Sequence, residues 1–170
     1  MQIPYPKTLA LICLIFTFLS CSSNDSEQLV DSNQQDNQTV VDSEIPSTSF
    51  ELEILGLINT YRASKGLNTL ESLNIIKSQT EGHTDYMIGK DQISHDNFSQ
   101  RSQFLINNAN AISVAENVAS GFTAADLLVD AWINSDGHRQ NIEGDFTSFH
   151  LTASQSSDGK WFFTNIFVKK

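Results

Sequence analysis

The chain has 170 residues, 39% of them hydrophobic, with 20 acidic against 10 basic side chains and a formal net charge of −10. That length gives room for one domain and a tail, not for two sizeable domains. No basic face with interleaved aromatics offsets the acidity, which argues against nucleic acid as a partner.

Residues 1–20 carry a single Lys (Lys7) ahead of an apolar run from Leu9 to Leu19. The run is too short and too poorly flanked to span a membrane, and it reads as the h-region of a secretory signal. The segment Phe18-Leu19-Ser20-Cys21 resembles the lipobox of bacterial lipoproteins, with Phe in place of the usual Leu at position 18. That resemblance implies cleavage before Cys21 and a lipid on its thiol, with each buried methylene contributing roughly 0.8 kcal/mol to anchoring. The expected product is an exported, membrane-anchored lipoprotein, periplasmic or on the cell surface. Cys13 would leave with the signal and Cys21 would carry lipid, so the mature chain would have no disulfide and no thiol for catalysis or metal binding.

Residues 21–49 follow as a disordered acidic tether. They are rich in Ser, Asn, Gln and Asp, hold Asp25, Glu27, Asp31, Asp36, Asp42 and Glu44, and contain no Lys or Arg. Such a segment cannot bury enough apolar surface to fold. Its charge would also be repelled by anionic headgroups, leaving the lipid as the attachment.

The folded part is expected over residues 50–170. Leu52, Leu55 and Ile58, with Ile54, Leu57 and Tyr61, recur at helical spacing up to Gly66. A second helix is predicted from Glu71 to Gly89, with Leu73, Ile76, Thr80, His83 and Met87 along one side. The run from Lys90 to Asn110 reads as polar and irregular, anchored by Phe98, Phe104 and Leu105. Residues 111–120 alternate as a strand. Thr123-Ala124-Ala125-Asp126 opens a helix over 124–134 with a capping-box-like start. That helix ends in Trp132, a core residue, and runs into a Ser-Asp-Gly turn presenting His138 and Arg139. Residues 149–154 and 160–168 form a hairpin about Asp158-Gly159. Trp161, Phe163 and Phe167 lie on one face of its second strand, and Phe162, Ile166 and Val168 on the other. A strand apolar on both faces is central and covered above and below. A three-layer α/β/α sandwich follows, with a small, mainly antiparallel central sheet.

Asn59-Thr60-Tyr61-Arg62, His83 to Met87, Ser94-His95, Glu116-Asn117-Val118-Ala119, Trp132 to Ile142 and the closing aromatic strand occur in that order. Together they resemble the bacterial branch of the CAP superfamily (cysteine-rich secretory proteins, antigen 5 and pathogenesis-related 1 proteins; SCP-like domains), over residues 50–170. The resemblance implies a cleft lined by two histidines and two acidic residues. Matched by motif, these fall on His95, His138 and Glu116, while Ser135 stands at the second acidic position. Asp136, its neighbour, could substitute sterically, but nothing in the sequence shows that it points inward.

Two imidazoles and a carboxylate can hold a divalent transition metal, and the resemblance implies zinc on His95, His138 and Glu116. The alternative is a hydrogen-bonded network in which Glu116 orients an imidazole and Asn117 caps a loop. His83 is expected in the core or cleft wall, and His150 at an exposed edge. Arg139 is expected to pair with Glu143 or Asp145. Ser94 and Ser135 lie near the histidines, but no Gly-x-Ser-x-Gly elbow accompanies them. The leading expectation is therefore a non-catalytic envelope module that binds a lipid, peptide or glycan in this cleft. The alternatives are a zinc-dependent hydrolase or protease and a purely structural envelope protein.

Overall fold

A computed structural model describes residues 47–170. The signal segment, Cys21 and the tether up to residue 46 lie outside the described residues. The first helix, α1 (Ser49–Ser64), starts one residue before the expected boundary. Thr48 caps it: its hydroxyl accepts from Glu51 N–H at 3.2 Å, and Glu51 accepts from Thr48 N–H at 2.7 Å. The Thr-x-x-Glu signature of this reciprocal box is legible in the sequence, straddling the expected end of the tether. The other oxygen of Glu51 accepts from Ala153 N–H at 3.0 Å, so one buried carboxylate both starts the helix and ties it to the sheet.

Residues 71 and 72 do not begin the second helix. They form β1 (Glu71–Ser72), which pairs in parallel with Ser148 and Phe149 of the distant strand β3 (Ser148–Gln155). That pairing is invisible in local periodicity, and α2 (Asn74–Lys90) starts only after it. The stretch expected to be irregular contains a third helix, α3 (Phe98–Ala109). Its buried stripe is only Arg101, Leu105 and Ala109, one residue per turn, too thin to register as a helical pattern. Leu105 is an anchor and Phe98 half-buried, but Phe104 faces solvent.

The next strand, β2 (Ser113–Ser120), and helix α4 (Ala125–Ile133) follow expectation in place. The N-cap of α4 is Ala124, however, with no side-chain cap, so the box expected at Thr123 is not made. The Ser-Asp-Gly segment is not a free turn. Ser135 is the N-cap of a short helix, α5 (Asp136–Glu143), which carries His138 on its first turn. The chain closes with β3 and β4 (Trp161–Lys169), a hairpin whose tight turn uses Gly159 at φ +85°.

The sheet order is β1-β3-β4-β2, antiparallel apart from β1 with β3. Strand β4 is central, as its two apolar faces require. Phe163 and Phe167 pack with Ile54, Ile58, Leu128 and Trp132 from α1 and α4. On the opposite face Ile166 and Val168 pack with Ile76 and Leu105 from α2 and α3, and Phe162 meets Met87. Each fully buried aromatic or aliphatic side chain contributes roughly 1.5–3 kcal/mol, so this double-sided layer dominates stability. Helices therefore cover both faces, which leaves β2 at an edge where elements from the two layers meet.

Candidate functional site

The site lies along that edge. Even-numbered residues of β2 face the α2/α3 layer, and Glu116 is among them, its side chain 1% exposed. Arg101 of α3 grips the carboxylate with two prongs, Nε to Oε2 at 2.8 Å and Nη2 to Oε1 at 2.8 Å. A buried carboxylate is tolerable only when paired in this way. His95 adds a third contact, Nδ1 to Oε1 at 2.8 Å. A carboxylate only accepts, so Nδ1 of the half-exposed His95 ring carries the proton.

The loop carrying His95 is pinned from three directions. His83 of α2 donates from Nε2 to the Ser94 carbonyl at 2.7 Å, Tyr86 donates to the Asp96 carboxylate at 2.8 Å, and Arg101 Nη1 donates to the Asp96 carbonyl at 2.7 Å. The loop is bounded by Asp91 and Asn97, both left-handed at φ 48° and 60°. His83 is therefore a buried wall residue, as expected, with Nε2 3.8 Å from Glu116. Burial pushes its imidazole below the ordinary value of 6.5, against the opposing pull of the Ser94 carbonyl and Glu116.

The other wall comes from the opposite layer. Asn117 is fully buried, donates to the His138 carbonyl at 3.1 Å and accepts from Asn141 at 2.9 Å. Asn141 also donates to the Glu116 carbonyl at 3.1 Å, and the Trp132 indole to the Val118 carbonyl at 3.4 Å. The free edge of β2 is thus capped by side chains of α4 and α5, and α5 is held in place by the same bonds. Arg62 holds its far end, donating to the Ile142 and Gly144 carbonyls at 2.6 and 2.9 Å. His138 is half-buried beside Trp132, ring centroids 6.3 Å apart. Burial first, and then the charge of His95, hold its imidazole below the ordinary value. His138 lines a cavity of about 260 Å³ together with Ile93, Val118, Trp132 and Ser135, and His95 follows Ile93 by two residues on its loop.

Two expectations about individual residues are corrected. His150 is 1% exposed rather than at an open edge. Ser47 sits 3.3 Å from its Nε2, and Lys77 and Glu51 are close enough to influence its charge. Arg139 pairs with Asp136 at 2.6 Å, not with Glu143 or Asp145, while Glu143 accepts from Tyr61 and Asp145 pairs with Lys169. Asp136 is 84% exposed and paired with Arg139. Ser135 lines the cavity instead.

Zinc does not fit the expected donor set. Both Glu116 oxygens already accept from Arg101, and no group of three or more His, Cys, Asp or Glu among the described residues could hold a metal. Two imidazoles remain, short of the three protein ligands usual at a catalytic zinc. Arg101 is the functional residue that sequence reasoning missed. The available signal was a cation on an otherwise apolar stripe, which implies a buried carboxylate opposite.

Comparison with known proteins gives a consistent result. The family model described as the cysteine-rich secretory protein family, CAP, matches residues 55–167. The uncharacterized protein YkwD of Bacillus subtilis (strain 168) is 29% identical over 98 residues, a match covering 56% of this chain and 38% of that relative. An outer surface protein from Borrelia burgdorferi superposes with a TM-score of 0.65 at 21% identity, covering 74% of this chain and 96% of that one. An extracellular SCP-domain protein from Bacillus anthracis str. Ames gives a TM-score of 0.60 at 22% identity, with 74% and 45% covered. At such identities the likeness is one of fold.

Proposed function

The chain belongs to the cysteine-rich secretory protein (CAP) family, and we propose that it acts as a non-catalytic binding or interaction module of the bacterial cell envelope through the cleft between His95 and His138. The observation that carries this reading is the Arg101–Glu116 pair. A carboxylate with both oxygens held by a guanidinium cannot readily take a proton as general base, and no second carboxylate divides acid from base work. What the cleft keeps is recognition chemistry: two imidazoles fixed by their neighbours, a hydroxyl at Ser135 and an adjacent apolar cavity.

Export and anchoring complete the proposal. The lipobox-like Phe18-Leu19-Ser20-Cys21 and the acidic tether would hold the domain away from the membrane by a lipid on Cys21. The similar proteins described as outer surface and extracellular support a location outside the cytoplasm. No helix among the described residues is long and apolar enough to cross a membrane.

Native mass spectrometry of the full chain, purified without denaturant, tests the binding role. A retained small molecule present in the wild type and absent from His138→Ala supports it. Mass identical to the bare chain in both, together with turnover of a peptide or ester abolished by His95→Ala, replaces it with an enzymatic role.

A further inference from the structure

A further cavity, of about 230 Å³, lies between α2 and the start of α3 and shares no residue with the one lined by His138. At water's share of about 30 Å³ per molecule it holds the space of roughly eight waters, the bulk of one substituted ring and not of a chain. Its lining includes Gln79, Gly82, His83 and Tyr86 of α2, and Asn97 and Arg101 from the start of α3.

Two of these side chains are more than nine-tenths buried, His83 at 3% and Arg101 at 8% exposed, and neither spends all its bonding capacity on the protein. His83 gives its Nε2 proton to the Ser94 carbonyl, so Nδ1 is left as an acceptor with no partner among the described residues. Of the five N–H donors of a guanidinium, Arg101 places two on Glu116 and one on the Asp96 carbonyl, and two remain. Asn97 is the N-cap of α3, yet its side chain makes no cap bond and its amide stays uncommitted. Gln79 donates to the Ser78 hydroxyl at 3.2 Å and keeps its carbonyl oxygen.

Charge and shape narrow what fits. The charge of Arg101 is already answered by Glu116, so an anion gains no free cation here and meets the His83 acceptor. A cation meets a guanidinium. Donors and acceptors interleaved around an electrically balanced cavity suit a neutral ligand whose groups each do both, and the hydroxyl is that group. Gly82 leaves the helix backbone bare on this side. A helix interior is an unfavourable place for glycine, and packing does not demand it: a Cβ at position 82 would meet nothing within 4 Å. A ring can therefore lie directly against α2.

We propose that this cavity binds one neutral sugar ring, its hydroxyls bonded to Gln79, Asn97 and the uncommitted atoms of His83 and Arg101, and its body laid against Gly82. The site is separate from the His138 cavity and stands whether or not that cavity holds a ligand.

The test is a ¹H–¹⁵N titration of the full chain with methyl glucoside and N-acetylglucosamine as neutral rings, glucuronate and glucosamine as charged ones, and trialanine as a peptide. The neutral rings should move the Gly82 amide and the side-chain amides of Gln79 and Asn97, with a dissociation constant on the order of 1 mM, as befits so small a ligand. Each charged ring and the peptide should bind about tenfold more weakly. Gly82→Leu fills the cavity and replaces glycine with a better helix former, so it should abolish binding without lowering the urea midpoint. Asn97→Ala, at an exposed position, should weaken the neutral rings about fivefold, and it decides the site even where Gly82→Leu fails to fold. Neutral rings that bind both variants as tightly as the wild type overturn the site. Charged rings or trialanine that bind as tightly as the neutral rings overturn the ligand class. Amides that no probe moves at about ten times the expected constant overturn both. None of these outcomes bears on the retained-molecule test of the His138 cavity.

Discussion

Arg101 and Glu116 meet through two hydrogen bonds of 2.8 Å on a side chain that is 1% exposed, joining α3 to the edge strand β2. The same carboxylate accepts from His95, so the pair clamps α3 to β2 and holds the His95 ring as well.

Removing one member of such a pair leaves the other charged and buried. Arg101→Leu should cost about 3–5 kcal/mol in urea unfolding, whereas Glu116→Gln with Arg101→Leu together should cost less than the sum. A cycle showing simple additivity would mean that the two residues do not act as a unit.

The N-terminal boundary of the domain rests on Thr48. Thr48→Ala removes the acceptor for Glu51 N–H and should cost about 1 kcal/mol. Glu51→Ala should cost more, because Thr48 N–H, Ala153 N–H and the Lys77 ammonium at 3.5 Å all lose the same carboxylate. Equal losses for the two variants in chemical denaturation would contradict that account.

Stability should fall as the solution is acidified below pH 6.5. His83, His138 and His150 are all held below that ordinary imidazole value, chiefly by burial. The unfolded chain then binds more protons than the folded one between 6.5 and the lower native values, so unfolding free energy decreases as pH drops through that window. His150→Gln should flatten the dependence, whatever its effect at neutral pH. Denaturation midpoints between pH 8 and 5 that do not move would refute it.

Zinc bound by two imidazoles alone should not survive dialysis against a chelator. Wild type, His95→Ala and His138→Ala are then expected to retain the same substoichiometric amount by elemental analysis. One equivalent of zinc in the wild type, lost in both folded variants, would return the site to metal chemistry.

The anchor is tested separately from the cleft. Cys21→Ser should move the protein from the membrane fraction to the soluble one, and a variant that stays with the membrane would show that something other than a lipid on Cys21 holds it.

Much of this protein was written in local order. The alternating apolar faces of 161–168 made β4 a covered central strand, Asp158-Gly159 placed the hairpin turn, and Trp132 declared itself as core. The motifs around His95, Glu116 and His138, in order with the closing aromatic strand, identified the family. The sequence did not determine the partners of those side chains. Arg101 reaches Glu116 across 15 positions, β1 pairs with a strand more than seventy residues on, and Ser47 roofs His150 from 103 positions away. Asp136 and Ser135 are neighbours in the chain, yet the start of α5 sends one to solvent and the other to the cavity. Periodicity reports which face of an element is buried. Which charge meets which depends on how the layers close over the edge of β2, and only the folded chain decides that.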